Sequence, residues 1–142
     1  MPSLTLKKND LDKLGPTLPV HVGCGSITEA VWQKTGVTVP APVPVLAMID
    51  TGAAATIIKE ETIMRLKVPP VDEVLIKTPT ASGVVCRRYW LRLFLDQDVY
   101  IETTVIAASL EGQHIQCLIG RDALRHCLVI YNGPDNSYTL GF

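Results

Sequence analysis

The sequence predicts an all-β, barrel-like single domain carrying one or two short helices, and three observations predict it. Short runs rich in Val, Ile, Leu, Thr and aromatic residues recur along the chain, separated by Gly, Pro, Asn and Asp at turn positions. Only residues 59–67 and 121–127 pattern clearly as helices, and both stretches are short. A chain of 142 residues that is 47% apolar can bury one core but is short for two domains.

Residues 1–17 combine Lys7-Lys8-Asn9-Asp10 with Gly15-Pro16 and read as an N-terminal arm, expected to pack late or on a partner. The domain proper is placed at 18–142. Val20 and Val22 alternate around His21 in a strand pattern that Gly23-Cys24-Gly25 breaks. Residues 26–38 stay open between two readings. Ile27, Ala30 and Val31 have helical spacing, whereas Trp32 and Val37-Thr38-Val39 favour strand or loop. Pro40, Pro42 and Pro44 make the next segment extended, with one side unable to donate ladder hydrogen bonds. Residues 45–49 then form an apolar run that reads as a buried strand.

After Asp50-Thr51-Gly52, the short strand Thr56-Ile57-Ile58 leads into the helix predicted over 59–67. Its acidic start at Glu60 and Glu61 and basic end at Arg65 and Lys67 suit the helix dipole, and Pro69-Pro70 stops it. Val74-Leu75-Ile76 precedes the small residues from Thr78 to Gly83, which suit an exposed hairpin tip. Residues 87–95 and 100–107 are joined by Asp96-Gln97-Asp98 in the clearest hairpin of the chain. Residues 116–120 form a further apolar strand, the helix over 121–127 follows, and strands at 128–131 and 138–142 flank Asn132-Gly133-Pro134.

Composition narrows the function classes. Net charge is −1, and the only paired basic residues are Lys7-Lys8 and Arg87-Arg88, so no basic face for nucleic acid is expected. The most apolar run, 39–49, is interrupted by prolines and too short to span a bilayer, and the first residues lack a signal-peptide pattern. Cys24, Cys86, Cys117 and Cys127 show no C-x-x-C spacing and are expected as free thiols in a reducing compartment. The apolar surplus hints at an interface.

The candidate chemistry centres on Asp50-Thr51-Gly52-Ala53, a lone carboxylate in an uncharged neighbourhood between two apolar strands. A plain turn would use the same residues, because Asp bonds its own backbone and Gly supplies unusual φ. Downstream, however, come a short helix, a small-residue hairpin, and Cys117-Leu118-Ile119-Gly120-Arg121-Asp122 entering a second helix. In this order the residues resemble the retropepsins, the single-lobe aspartic proteases of retroviruses and related cellular and bacterial proteins. The resemblance runs from about residue 18 to Thr139-Leu140-Gly141-Phe142.

That resemblance implies a closed or partly open β-barrel of the acid-protease type and an aspartic endopeptidase. Such an enzyme holds water between two carboxylates, one ionised and one protonated, because like charges that close cannot both ionise. Asp50, Thr51 and Gly52 would be the catalytic tripeptide. None of the other aspartates is followed by Thr-Gly or Ser-Gly, so the second carboxylate must come from Asp50 of an identical subunit, in a homodimer. No metal and no organic cofactor is implied.

The substrate would be an extended polypeptide lying as an added strand against Gly52, Ala53 and Ala54. Ala81, Ser82, Gly83 and Val84 would form a closing flap, less rich in glycine than retroviral flaps. Gly120, Arg121 and Asp122 are assigned structural support. Ala53 lacks the hydroxyl of pepsin-like lobes, which implies a dyad active at mildly rather than strongly acidic pH. Ala54 stands where retroviral members pair an Asp with the arginine, so Arg121 should find another acceptor. The implied setting is cytoplasmic, or viral and polyprotein-derived.

A reading from another class is a catalytically silent dimerisation or peptide-binding module that keeps the fold. His114, Cys117, His126 and Cys127 are zinc-ligand types, but His126 and Cys127 are adjacent and the intervening segment is apolar. No cysteine has a recognisable nucleophile context. His21 reads as a half-exposed strand residue, and Trp32 and Trp90 read as core or dimer contacts.

Overall fold

A computed structural model describes residues 1–78 and 81–142 and arranges them as two sheets and four short helices. The chain runs through β1 (Ser3–Lys7), α1 (Leu11–Leu14), β2 (Thr17–Cys24), α2 (Ser26–Thr35), β3 (Val43–Ile49), β4 (Ile57–Lys59) and α3 (Glu60–Met64). It continues through β5 (Asp72–Thr78), β6 (Ala81–Phe94), β7 (Tyr100–Ala108), β8 (Cys117–Ile119), α4 (Arg121–Leu124), β9 (Leu128–Asn132) and β10 (Ser137–Gly141). Among the described residues, no helix is long and apolar enough to cross a membrane.

The expectation of a barrel with one or two helices is corrected on both counts. Four helices are present, and the strands divide into a three-stranded sheet, β1-β10-β9, and a seven-stranded sheet, β2-β3-β8-β4-β7-β6-β5, in which β2 also pairs with β6. Both additional helices lie where local pattern is weak. α1 is a single turn whose place is fixed by Leu11, buried in the core. α2 has no fully buried residue, so the helical spacing of Ile27, Ala30 and Val31 marks no face packed on the core. It is anchored at its start by Ser26, whose backbone N–H and hydroxyl both donate to the Glu102 carboxylate at 2.6 and 2.9 Å. Gly36 ends it in the left-handed conformation at φ 78°.

Alternation fixes which way each strand faces. Val43, Val45, Ala47 and Ile49 of β3 point inward, and Leu91 and Leu93 of β6 meet Val22 of β2 and Val105 of β7 in the core. Pro44 sits opposite His21 of β2, while β8 pairs only with Ala47–Ile49, so the proline falls where the second flank carries no ladder. The three-stranded sheet closes one end: Leu140 and Tyr138 are buried, and the Tyr138 hydroxyl donates to the Thr17 carbonyl at the start of β2.

Two parallel pairings position the region around Asp50. β3 runs parallel to β8 through Ile49↔Ile119, and β4 runs parallel to β7 through Ile57↔Ile106, while β4 and β8 pair antiparallel. The loop leaving β3 and the turn entering α4 are thereby brought side by side from distant parts of the sequence.

Candidate active site

Asp50 is the first residue beyond β3 and is half-buried. Its backbone N–H donates to the Ile119 carbonyl at 3.0 Å, and its Oδ1 accepts the Gly52 N–H at 2.9 Å. The Ala53 N–H donates back to the Asp50 carbonyl at 3.2 Å, closing a tight turn. The side-chain bond within the turn orients the carboxylate, which makes no salt bridge among the described residues. Thr51 and Gly52 are exposed, Ala53 is half-buried and Ala54 is exposed.

The turn is laced to the start of α4. The Arg121 N–H donates to the Ala53 carbonyl at 2.9 Å, the Asp122 N–H to the Ala54 carbonyl at 3.3 Å, and the Arg121 guanidinium Nη1 to the Thr51 carbonyl at 2.8 Å. With Ala at position 54, the acceptor of Arg121 is thus a main-chain oxygen of the Asp50 turn. Gly120 is needed for close approach: a Cβ there would lie 2.5 Å from the Ala55 carbonyl carbon and oxygen. Its φ of −86° is ordinary, so contact rather than backbone conformation excludes a side chain.

Thr56 is the residue that sequence reasoning missed as part of this assembly. It is fully buried; its hydroxyl donates to Asp122 Oδ1 at 2.7 Å and accepts the Gly120 N–H at 3.1 Å. Its own N–H donates to Asp122 Oδ2 at 3.0 Å, and the Ala123 N–H donates to Oδ1 at 2.8 Å. Asp122 therefore accepts three hydrogen bonds and holds two chain segments together. A threonine ahead of two isoleucines gives no local sign of this bond. Nearby, burial and then the Asp122 charge push the Cys117 thiol up to about 12.

Beside the loop runs a groove of about 560 Å³, lined by Ala54, Ala55, Val74, Ile76, Thr104 and Ile106 among others. Its β5–β6 side is the hairpin expected as a flap. Gly83 there has φ 144°, and a Cβ on it would approach the Leu75 side chain to 2.8 Å; Val84 is exposed. Pro79 and Thr80 lie outside the described residues, as do the side chains of Ala81 and Ser82, so the flap assignment of Ala81 and Ser82 falls there. A second hollow, of about 510 Å³, is lined by Pro19, His21, Pro42 and Phe94 and by none of the residues of the Asp50 turn. Among the described residues, no group of three or more His, Cys, Asp or Glu is placed to hold a metal ion.

A family model described as gag-polyprotein putative aspartyl protease matches residues 35–126, the span from the end of α2 to just past α4. The chain belongs to that family. It is thereby a member of the retropepsin-like aspartic-protease superfamily, and the Asp50 turn, the hairpin and the Gly120–Asp122 segment all fall inside the matched span. The fold is similar to a retropepsin-like aspartic protease from Rickettsia conorii, at 13% identity and a TM-score of 0.59, over 99% of this chain and 91% of that one. It is also similar to the foamy viral protease-reverse transcriptase, solved in complex with an RNA/DNA hybrid, at 20% identity and a TM-score of 0.50. That match covers 78% of this chain, which spans only 12% of the length of the viral chain. At such identities the likeness bears on the fold. Among curated protein sequences, none matches the chain.

Proposed function

We propose that this chain is an aspartic endopeptidase that works as a homodimer, Asp50 of each subunit supplying one of the two carboxylates. The single observation that carries the reading is the state of Asp50: half-buried, oriented by the Gly52 N–H, and free of any salt bridge among the described residues. Asp122, the nearby carboxylate, is consumed by Thr56 and Ala123, so one chain offers one reactive carboxylate and needs a second copy.

In the dimer a water held between the two Asp50 side chains attacks the peptide carbonyl. The ionised carboxylate takes its proton and the protonated one polarises the carbonyl; the pair titrates as a unit. Thr51 and Gly52 shape the turn at the subunit contact, and Gly52, Ala53 and Ala54 line the path of an extended peptide. The β5–β6 hairpin, with Ala81, Ser82, Gly83 and Val84, closes over it. Gly120, Arg121 and Asp122 hold the turn from behind. Residues 18–142 form the protease domain, and residues 1–17, which pack on it through β1 and Leu11, contribute dimer contacts as well. Four free cysteines fit a reducing setting, whether cytoplasmic or that of a processed polyprotein.

Digestion of a peptide library by the wild type and by Asp50→Asn tests this, with pepstatin-type inhibition as a control and activity measured across pH. Loss of cleavage in Asp50→Asn and an optimum at mildly acidic pH are expected. Cleavage that survives the substitution refutes the assignment, an optimum near pH 2 refutes the role given to Ala53, and a chain that sediments as a monomer at high concentration refutes the shared dyad.

A further inference from the structure

We infer that the peptide cleft continues past the groove beside Ala54 and ends on Trp90, an aromatic platform that selects substrates carrying an apolar side chain remote from the scissile bond. The inference rests on the peptide-cleaving reading of Asp50 for the identity of the occupant. Its geometry comes from the outward face of β6 and β7.

Arg88, Trp90 and Arg92 of β6 point away from the core, since Tyr89, Leu91 and Leu93 between them are buried. Across the ladder Arg88 pairs with Ile106, Trp90 with Thr104 and Arg92 with Glu102. The groove beside the Asp50 turn is lined by the first of these rows, Arg88 and Ile106, and reaches Thr104 of the second. Trp90 therefore stands one row further along the same surface. The third row is covered: Ser26 bonds Glu102, and Arg92 bonds Glu29 and the Cys24 carbonyl, so the start of α2 closes the trough.

Trp90 is built as a fixed surface. Its indole N–H donates to Glu102 at 2.8 Å, and its ring edge packs so closely on Gly25 that a Cβ there would lie 2.5 Å away. Even so, the residue remains 41% exposed and is open to contact from solvent.

Charges along this path are already satisfied. Arg88 is paired with Asp72, Asp122 with Thr56, and Glu102 with Ser26 and Trp90, so the walls offer apolar surface rather than a free ion. An extended chain advances about 6.8 Å for every two residues, the same step that separates neighbouring rows on one face of a strand. A peptide side chain filling the groove at Ile106 thus sets the one two residues further out over Trp90.

The test uses two peptides built on a cleavage site found by library digestion, one with Leu at the outer position and one truncated before it. Trp90→Ala should lower kcat/KM for the long peptide about tenfold more than for the short one, mainly through KM, and Trp90→Phe should keep most of the discrimination. Binding is read separately in Asp50→Asn carrying Trp32→Phe, where indole emission comes from Trp90 alone. The long peptide should shift that emission to the blue, and the short peptide should not. Equal losses for both peptides, or emission unmoved by the long one, overturn the inference. If the wild type cleaves no peptide, the Asp50 reading fails, while titration of the same variant with the uncleaved peptide library, read as a blue shift of the Trp90 emission or its absence, still decides Trp90.

Discussion

Replacing Thr56 with Val keeps the shape and β-branching of the side chain but deletes a hydroxyl that serves two partners at once. The hydroxyl donates to Asp122 at 2.7 Å and accepts the Gly120 N–H at 3.1 Å, in a site with no solvent access. A hydrogen bond to a charged acceptor contributes about 1.5–3 kcal/mol, and a buried N–H left unpaired costs about 1–3 kcal/mol. Asp122 keeps the Thr56 and Ala123 N–H bonds, which softens the loss, so the net expectation is about 3 kcal/mol. For a domain of this size that corresponds to a fall in Tm of about 10 °C. Urea denaturation of the wild type, Thr56→Val and Asp122→Ala measures it, and the double variant should cost clearly less than the sum of the singles, because both changes remove the bond between the Thr56 hydroxyl and the Asp122 carboxylate. Peptide cleavage should fall in the same variants as the Asp50 turn loosens. A loss under about 0.5 kcal/mol, in the range of an ordinary surface change, refutes the view that Thr56 clamps the turn.

Two further outcomes follow from the same geometry. Gly120→Ala drives a methyl to 2.5 Å from the Ala55 carbonyl, so the strand or the turn must move, and a loss of several kcal/mol in urea is expected; near-wild-type stability would show that the contact relaxes freely. Glu102 is subject to burial, which raises its pKa, but the Ser26 N–H and hydroxyl, the Trp90 indole and the Arg92 charge outweigh this and hold it below the ordinary carboxylate value. A carboxyl lowered in the folded state adds stability that is present above its unfolded pKa and lost as pH falls through the lowered one. Amide exchange in α2 should therefore quicken as pH drops below the ordinary carboxylate range, after correction for intrinsic rates, and Glu102→Gln should remove that dependence.

Local pattern was enough for the elements nearest the chemistry. The apolar run ending at Asp50, the helix after Thr56-Ile57-Ile58, the hairpin at Asp96-Gln97-Asp98 and the Gly120 turn into α4 all carry their signals in adjacent residues. What local pattern could not carry is pairing between distant segments. The division of strands into two sheets depends on β1 finding β10 and β3 finding β8, choices made by tertiary packing rather than by any one stretch. α2 illustrates the same limit from the helical side. Ile27 is 72% exposed and Val31 53%, so the apolar residues that gave the segment its helical spacing face solvent, and the helix is held instead by polar anchors on β7 and β6.

The bond between Thr56 and Asp122 explains why a motif match at Gly120-Arg121-Asp122 carries weight for Asp50. A turn aspartate alone would need only Gly52. Here a carboxylate, a buried hydroxyl, a glycine without room for a Cβ and an arginine all converge on the segment of residues 50–56 that follows β3, and none of them is required merely to reverse the chain. Such over-determination is what a site needs when one oxygen must be held against a partner across a two-fold axis, because small displacements of a reacting group cost rate steeply. The same rigidity makes this reading vulnerable in a useful way: if Thr56→Val loosens the turn yet leaves cleavage untouched, the clamp serves folding alone and lends no weight to Asp50.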